Sequence, residues 1–559
     1  PLHAAAIRAA YRDVAIIAAP VLIALAALLT FGLGSAASAG TVLVTSLLNL
    51  SATLGTAAIL GWQVSQFSFI VMPVVLTVGL LDGIHLAMAV RQARTTDGVR
   101  GSHDGDAAVR TAIVEVFAPC AWTTATTAAG FCVLTASSIP QIRQFGALSA
   151  VGTVWALFTS FVLLPGLLAR LRPPTTSLST SRLAAISRRI AHMKRPGLVV
   201  AATLIVLAAT APGLARVRVA ADFPRLFDRD HEITVELERI ERDWGGIASV
   251  SFLLTPLPGH ELGDSEVIER LSSFGRLLAQ RELVTSVVSP LDVVGTAPTD
   301  PAAIERLIAQ ASAGPSARLL SELLDSPTDT LRVVARVRMM QPEKFPALAA
   351  DLEGFRAGLE DLFEVKLAGW PLVFKNLETR LLDELLSSFA LAFGVVAILM
   401  GFALGATRWW LAALIPNLAP LWIVLGGLGL AGSGFSSGLL LAPGIALGLV
   451  VDDTIHFVSA LRRQSRDSRS LRDAIESAID RTGAALTLTS AVLVAGFGTL
   501  LLSAFRGNQT LGAVMVAVVL VAWLADLVVL PAVLLLTERR GGTPDAAVRE
   551  PSRFRGARG

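Results

Sequence analysis

Residues 448–456 read Gly-Leu-Val-Val-Asp-Asp-Thr-Ile-His, inside a stretch from Phe389 to Ala460 whose only formally charged side chains are Arg408, Asp452 and Asp453. A carboxylate at mid-bilayer costs about 2.5–3.5 kcal/mol on insertion scales, so an isolated acidic pair in apolar surroundings marks a proton or ion site by default. Residues 79–85 carry a degenerate copy, Gly-Leu-Leu-Asp-Gly-Ile-His, and from Val14 to Val90 the only formal charge is Asp82. Aligning Asp82 with Asp453 gives an offset of 371, while Ala129-Gly-Phe131 matches Ala495-Gly-Phe497 and Leu164-Pro165 matches Leu530-Pro531, both at 366. These anchors, joined by one change in loop length, define an internal repeat.

The rest of the chain fits a membrane setting. Of 559 residues 53% are hydrophobic and 16% charged, and the mean hydropathy is +0.63; soluble domains carry roughly 25% charged residues. A soluble enzyme and a disordered chain are both excluded. Spans of about 20 apolar residues fall at 14–32, 40–61, 67–90, 117–137, 146–169, 198–214, 387–405, 409–431, 436–460, 484–502 and 510–536. The net charge of +3 is too small for a nucleic-acid surface. Cys120 and Cys132, in one apolar segment, would stand about 18 Å apart on a helix and cannot pair.

Domain boundaries follow from charge. Residues 170–197 hold seven Lys and Arg and no acid, which marks a cytoplasmic linker; loop 461–483, with six arginines, and the tail 538–559 fall on the same side. Residues 215–386 form a polar segment of domain size on the opposite, extracytoplasmic face. Strands are expected at Val250–Thr255, Val284–Val288, Leu331–Arg338 and Val365–Ala368, and helices at Ser265–Gln280 and Phe345–Phe363. Two βαβ-like units predict a ferredoxin-like α+β module. The membrane parts are then a block of five helices at 14–169, a helix at 198–214 that opens the second repeat, and a second five-helix block at 387–537. Pro1-Leu2 aligns with Pro371-Leu372, so residues 1–13 read as the end of a first outer domain. The expected whole has twelve helices in two parallel repeats and two outer domains.

Spacing selects the relay residues. In a helix His456 stands i+3 from Asp453 and i+4 from Asp452, and His85 stands i+3 from Asp82, so carboxylates and imidazoles share a face. If the repeats face each other, three carboxylates and two imidazoles meet near a pseudo-twofold axis and can take up and release protons. The competing reading is that these side chains snorkel at a helix end, since Arg91 and Arg462 follow six residues after the histidines. Asp526, aligned with Ser160, is a fourth acid in an apolar helix. Thr489 and Ser490, aligned with Thr123 and Thr124, offer hydroxyls that would extend a hydrogen-bonded path, but close helix packing by small polar residues is the preferred reading. Packing is the preferred reading for the aligned pair Asn49 and Asn417.

The Asp-Asp motif at 448–456, its partner at 79–85, the Ala-Gly-Phe helices and the βαβ outer segment resemble the resistance-nodulation-division (RND) superfamily. Within it they are most similar to the MMPL and hydrophobe/amphiphile exporter branch, with helices like those of sterol-sensing domains. The resemblance implies a polytopic α-helical membrane protein with a pseudo-twofold repeat plus an α+β ferredoxin-like extracytoplasmic domain. It also implies proton-driven export of lipids or other hydrophobic or amphiphilic molecules across the inner membrane. Carried over, the relay falls on Asp82 in the first repeat and on Asp452 and Asp453 in the second; spacing adds His85 and His456 to it, with Thr489, Ser490 and Asp526 as the candidate extension. Leu81 stands where the second repeat has Asp452, which departs from the family's paired acids. No cofactor or metal is expected, with protons as the coupling ion; the expected partners are membrane lipids or hydrophobic small molecules, homo-oligomers or periplasmic accessory proteins, and not nucleic acid. The alternatives are a lipid or sterol sensor without transport, a protein-export accessory of the same superfamily, and an intramembrane hydrolase using Asp453 and His456 as metal ligands. The last lacks an HExxH motif or further histidine cluster in the sequence.

Overall fold

The computed structural model describes residues 2–62, 66–96, 105–171, 178–192, 195–217, 227, 230–261, 264–294, 317–325, 330–341, 344–405, 408–432, 437–466 and 468–540. Among them, ten helices are long and apolar enough to cross a membrane, and Ala18–Leu33 is a shorter apolar helical stretch. Each of the eleven expected spans falls on a helix. The first block comprises α1 (Leu2–Leu33), α2 (Ala36–Ile59), α3 (Gln66–Thr96), α4 (Gly105–Val133), α5 (Pro140–Phe158) and α6 (Leu164–Arg170). The amphipathic α7 (Leu178–Ala191) and the span α8 (Pro196–Leu214) follow. Large apolar side chains such as Ile23, Leu204, Ile205, Ile398 and Phe402 are exposed, as a lipid-facing surface requires.

The polar segment forms one sheet. After α9 (Glu232–Trp244) come β1 (Ala248–Pro256), α10 (Ser265–Ala279), β2 (Val284–Val288), β3 (Thr330–Val337), α11 (Phe345–Ala357) and β4 (Phe363–Gly369). The strand order is β2-β3-β1-β4 with every neighbour antiparallel, the ferredoxin-like arrangement expected from the two βαβ-like units. Alternation explains the register. Val250, Phe252 and Leu254 form a fully buried row on β1, as do Val333, Ala335 and Val337 on β3, so a slip of one residue would turn this row to solvent. Val267, Leu271, Phe274 and Leu278 cover the sheet from α10 at helical spacing.

β4 runs without a linker into α12 (Trp370–Leu404), the first long helix of the second block. The joint is Gly369, with φ +150°, where an added Cβ would lie 2.5 Å from Ser249 O. Only glycine fits that approach. The second block continues through α13 (Arg408–Leu430), α14 (Ala442–Gln464), α15 (Leu471–Gly498), α16 (Arg506–Leu524) and α17 (Leu530–Arg540).

The repeat extends to irregularities of the backbone. A π-helical turn at Thr159–Leu163 recurs at Ala525–Val529, at the same offset of 366 as the Leu-Pro pairs that follow them. A 3₁₀ break ends α4 at Leu134–Ala136 and α15 at Thr499–Leu502. At each break a serine meets an acid from the other block: Ser137 with Glu384 of α12, and Ser503 with Asp13 of α1. The Asp13 carboxylate also accepts from Ala504 N at 3.1 Å. The one described residue between 218 and 229, Phe227, packs at a tilt of 35° against Phe505 beside this second break, with ring centroids 5.0 Å apart, and pairs with it in an isolated antiparallel bridge.

Candidate functional site

The two blocks meet through the helices that carry the acids. α14 lies along α4, where Thr127 Oγ1 donates to Gly448 O at 2.7 Å. Glycines permit this approach: a Cβ on Gly130 would stand 2.8 Å from Gly444 O, and one on Gly496 would stand 2.1 Å from Thr77 Cγ2 on α3. Gly130 and Gly496 are the glycines of the two Ala-Gly-Phe motifs, so that motif exists to bring each block's fourth long helix against the other block's acid-bearing helix. Small residues at such crossings let backbones pack closely without polar desolvation.

That contact gathers the predicted residues. Asp82, His85, Asp452, Asp453, His456 and Asp526 are between 1% and 8% exposed, which removes the reading of side chains reaching to a membrane surface. His85 from α3 and His456 from α14 stack in parallel with ring centroids 3.6 Å apart. Asp452 lies below both, its Oδ2 3.8 Å from His85 Nε2 and its Oδ1 3.9 Å from His456 Nε2. Asp453 accepts from Thr489 Oγ1 and Ser490 Oγ of α15, each at 2.9 Å. In the first block Thr124 and Cys120 of α4 face Asp82, so of the two partners of each aspartate one pair, Thr124 and Ser490, is equivalent in the repeat, while a thiol takes the place of the second hydroxyl. Asp452 is the charge that Asp82 and Asp453 have in common as a neighbour. It is the unmatched central acid, since Leu81 holds its place in α3.

Asp526 joins through a branch of the second block alone. Thr454 Oγ1 donates to Asp526 Oδ1 at 2.6 Å, and Asn417 Nδ2 reaches Thr454 Oγ1 at 3.2 Å. In the first block the aligned residues are Ser160, Gly83 and Asn49. Gly83 offers no hydroxyl, Asn49 turns to Val75 O at 3.2 Å, and the Ser160 hydroxyl is buried without a hydrogen-bond partner. Asp526 and Ser160 both sit in the π turns, where the widened helix frees backbone groups and re-aims side chains.

Sequence reasoning missed three participants. Cys120, weighed there only for a disulfide, places its Sγ 3.7 Å from His456 Nε2; its position in the turn before Thr123-Thr124 was the available signal. Thr454 lies inside the quoted motif itself. The third is a cavity of about 350 Å³ on the side away from the α/β sheet, lined by His85 and His456 at one end and by Arg91, Glu115, Arg463 and Arg481. Glu115 Oε1 lies 3.4 Å from Arg481 and 3.8 Å from Arg463, an ion-pair network joining the two blocks. The cluster thus communicates with one face through a polar cavity, while on the domain side it is backed by the glycine contacts of Gly130 and Gly496.

The geometry invites comparison with known proteins. The MMPL family model matches residues 353–558. A membrane protein of Methanocaldococcus jannaschii is 24% identical over 378 residues, covering 63% of this chain and 94% of the relative. Among solved structures the hedgehog release protein Disp of the water bear Hypsibius dujardini shares the fold with a TM-score of 0.64 and 13% identity, over 95% of this chain and 71% of that one. The C-terminal part of the chain is thus similar to the MMPL family, and the chain as a whole shares its fold with Disp. The matched residues begin in α11, run through β4 into α12 and take in the whole second block, so the similarity spans the joint between the sheet and the membrane helices.

Proposed function

We propose that this protein is a proton-driven transporter of the RND/MMPL type that exports lipids or other hydrophobic or amphiphilic molecules. The observation that carries the reading is the buried cluster of Asp82, Asp452 and Asp453 with the His85–His456 stack, assembled from both blocks at their interface. Such charges are costly in an apolar interior unless they do work there. Protonation removes like charge held between the blocks and lets α3 and α14 close or part; deprotonation restores the repulsion. Thr489, Ser490 and the Thr454–Asp526 branch hold and relay protons at Asp453 and Asp452. The polar cavity ending at the histidines supplies water contact from one face.

The movement reaches the sheet through Gly369, because β4 and α12 are one continuous element. The driving force is of the right scale, about 2.3 kcal/mol for each proton crossing 100 mV and about 1.4 kcal/mol per pH unit. With the basic linker 170–197 and the C-terminus in the cytoplasm, the sheet lies outside the inner membrane, where an amphiphile leaving the bilayer would be handled. No cofactor or enzymatic step is part of this reading. The decisive experiment is gradient-driven lipid movement in proteoliposomes, native protein against Asp453→Asn. Movement that needs the gradient and is lost in the variant, with lipid binding retained, supports transport. Equal lipid binding with no gradient-driven movement in either protein overturns it and favours a lipid sensor.

A further inference from the structure

Four side chains at the block interface present nitrogen, oxygen and sulfur atoms of the kinds that ligate transition metals. The ring nitrogens of His85 and His456 and a carboxylate oxygen of Asp452 all lie within 4.8 Å of one another, and Cys120 Sγ is 3.7 Å from His456 Nε2. In a tetrahedral zinc site, bonds of about 2.0–2.3 Å place neighbouring ligand atoms roughly 3.2–3.8 Å apart. The separations of 3.7 Å from Cys120 Sγ to His456 Nε2, 3.8 Å from His85 Nε2 to Asp452 Oδ2 and 3.9 Å from His456 Nε2 to Asp452 Oδ1 come within a few tenths of an ångström of that range; the two carboxylate distances are to different oxygens, and Cys120 adjoins the group of three through His456. Two of these atoms are orphans: His85 Nε2 and Asp452 Oδ2 are buried with no hydrogen-bond partner, although buried polar atoms are nearly always satisfied.

We propose that His85, His456, Asp452 and Cys120 form a binding site for a transition-metal ion of the zinc class, entered from the polar cavity, and that its occupancy locks the relay. The proposal rests on the relay reading for its regulatory consequence but not for the binding itself. Donor chemistry sets the metal: two imidazoles and a thiol suit zinc and its neighbours, whereas sodium, magnesium and calcium take oxygen. Charge also balances, because a thiolate and a carboxylate with two neutral imidazoles offset a divalent ion. Binding displaces the Cys120 thiol proton, which leaves through the cavity. The parallel rings must turn out of their stack, since each imidazole lone pair lies in its ring plane. With both histidines and Asp452 engaged by the metal, α3, α4 and α14 are tied together and the central acid cannot exchange protons.

The test uses the full chain in detergent, stripped by a chelator and dialysed against Zn²⁺ with no gradient applied. The expected result is about one Zn²⁺ retained per chain, with His85→Ala and His456→Ala each weakening binding by about 100-fold or more, the upper end of what even outer-shell changes cost. Co²⁺ in place of Zn²⁺ should give a thiolate charge-transfer band that disappears in Cys120→Ser and persists in Cys132→Ser, since the Cys132 thiol is exposed and remote from the histidines. If a histidine variant fails to fold, this spectroscopic pair decides. Native protein that retains no stoichiometric zinc, or a Co²⁺ band indifferent to Cys120→Ser, overturns the proposal. Transport that survives in Asp453→Asn would instead sink the relay and leave the metal result standing.

Discussion

Gly496→Ala tests whether the block interface is set by van der Waals contact at the Ala-Gly-Phe motif. The new methyl would lie 2.1 Å from Thr77 Cγ2, well inside the ~3.5–4.0 Å at which carbons attract. Thr77 cannot simply swing away, because its hydroxyl donates to Pro73 O at 2.7 Å and Val74 O at 2.9 Å, and the residue is 1% exposed. α3 and α15 must therefore separate, at a cost of about 1–3 kcal/mol. Thr77→Ser removes the obstructing methyl while keeping both hydrogen bonds, and by itself should cost about 1 kcal/mol for one buried methyl. In the double variant the two changes should couple by about 1 kcal/mol or more in the stabilising direction, within the range for residues in contact. Unfolding in mixed micelles, followed by tryptophan fluorescence, gives all four corners of the cycle. A Gly496→Ala penalty that is the same in the Thr77→Ser background would refute the contact as the limiting one.

Three further perturbations address other parts of the molecule. Thr454→Val leaves Asn417 and Asp526 without their shared partner, and a loss of about 1–3 kcal/mol is expected in the same micelle assay; an unchanged midpoint would show that water or another group takes over. Glu241→Ala withdraws the buried carboxylate that accepts from Met339 N at 2.8 Å and Met340 N at 3.1 Å. It should destabilise the α/β sheet by about 1.5–3 kcal/mol, read as faster proteolysis of the segment 230–369, with Glu241→Gln partly restoring protection. Asp13→Ala and Glu384→Ala, which occupy equivalent places at the two 3₁₀ breaks, should each lower gradient-driven flux several-fold with little change in stability. A fall in flux for one and none for the other would show that the two breaks do different jobs.

The membrane spans and the buried acids are readable because hydropathy and isolated charge are local properties of the chain. Asp82 and Asp453 stand out in any apolar window, and the Ala-Gly-Phe repeat supplies the alignment from which the meeting of the two acid-bearing helices follows. Helix ends were harder to read: α4 begins at Gly105 and α15 at Leu471, a dozen residues before the apolar windows, since a helix that leaves the bilayer continues with polar side chains. α7 was hidden for a related reason. Its arginines dominated residues 170–197, while the Leu183 and Ser187 face that packs on α15, with Ser187 Oγ donating to Gly483 O at 2.8 Å, is only two residues wide in sequence. Cys120 and the cavity of Glu115 and Arg481 depend on which helices cross, and no spacing along one helix reports that. The asymmetry between Asp526 and Ser160 was visible in the alignment, but its purpose needed Thr454 and Asn417 in place.

The exchanged contacts at the two 3₁₀ breaks bear on how the protein is made. Ser137 of the first block finds its acid only at Glu384, and Asp13 finds its serine only at Ser503. Gly130 likewise waits for Gly444. A ribosome that has released the first five spans has therefore inserted helices whose inward faces still lack their partners, and the α/β sheet is synthesised before any of them arrive. Each half behaves as the other's template during assembly, so consolidation of the membrane core is a late, chain-wide event that ends when α15 and the segment leading into α16 are threaded into place.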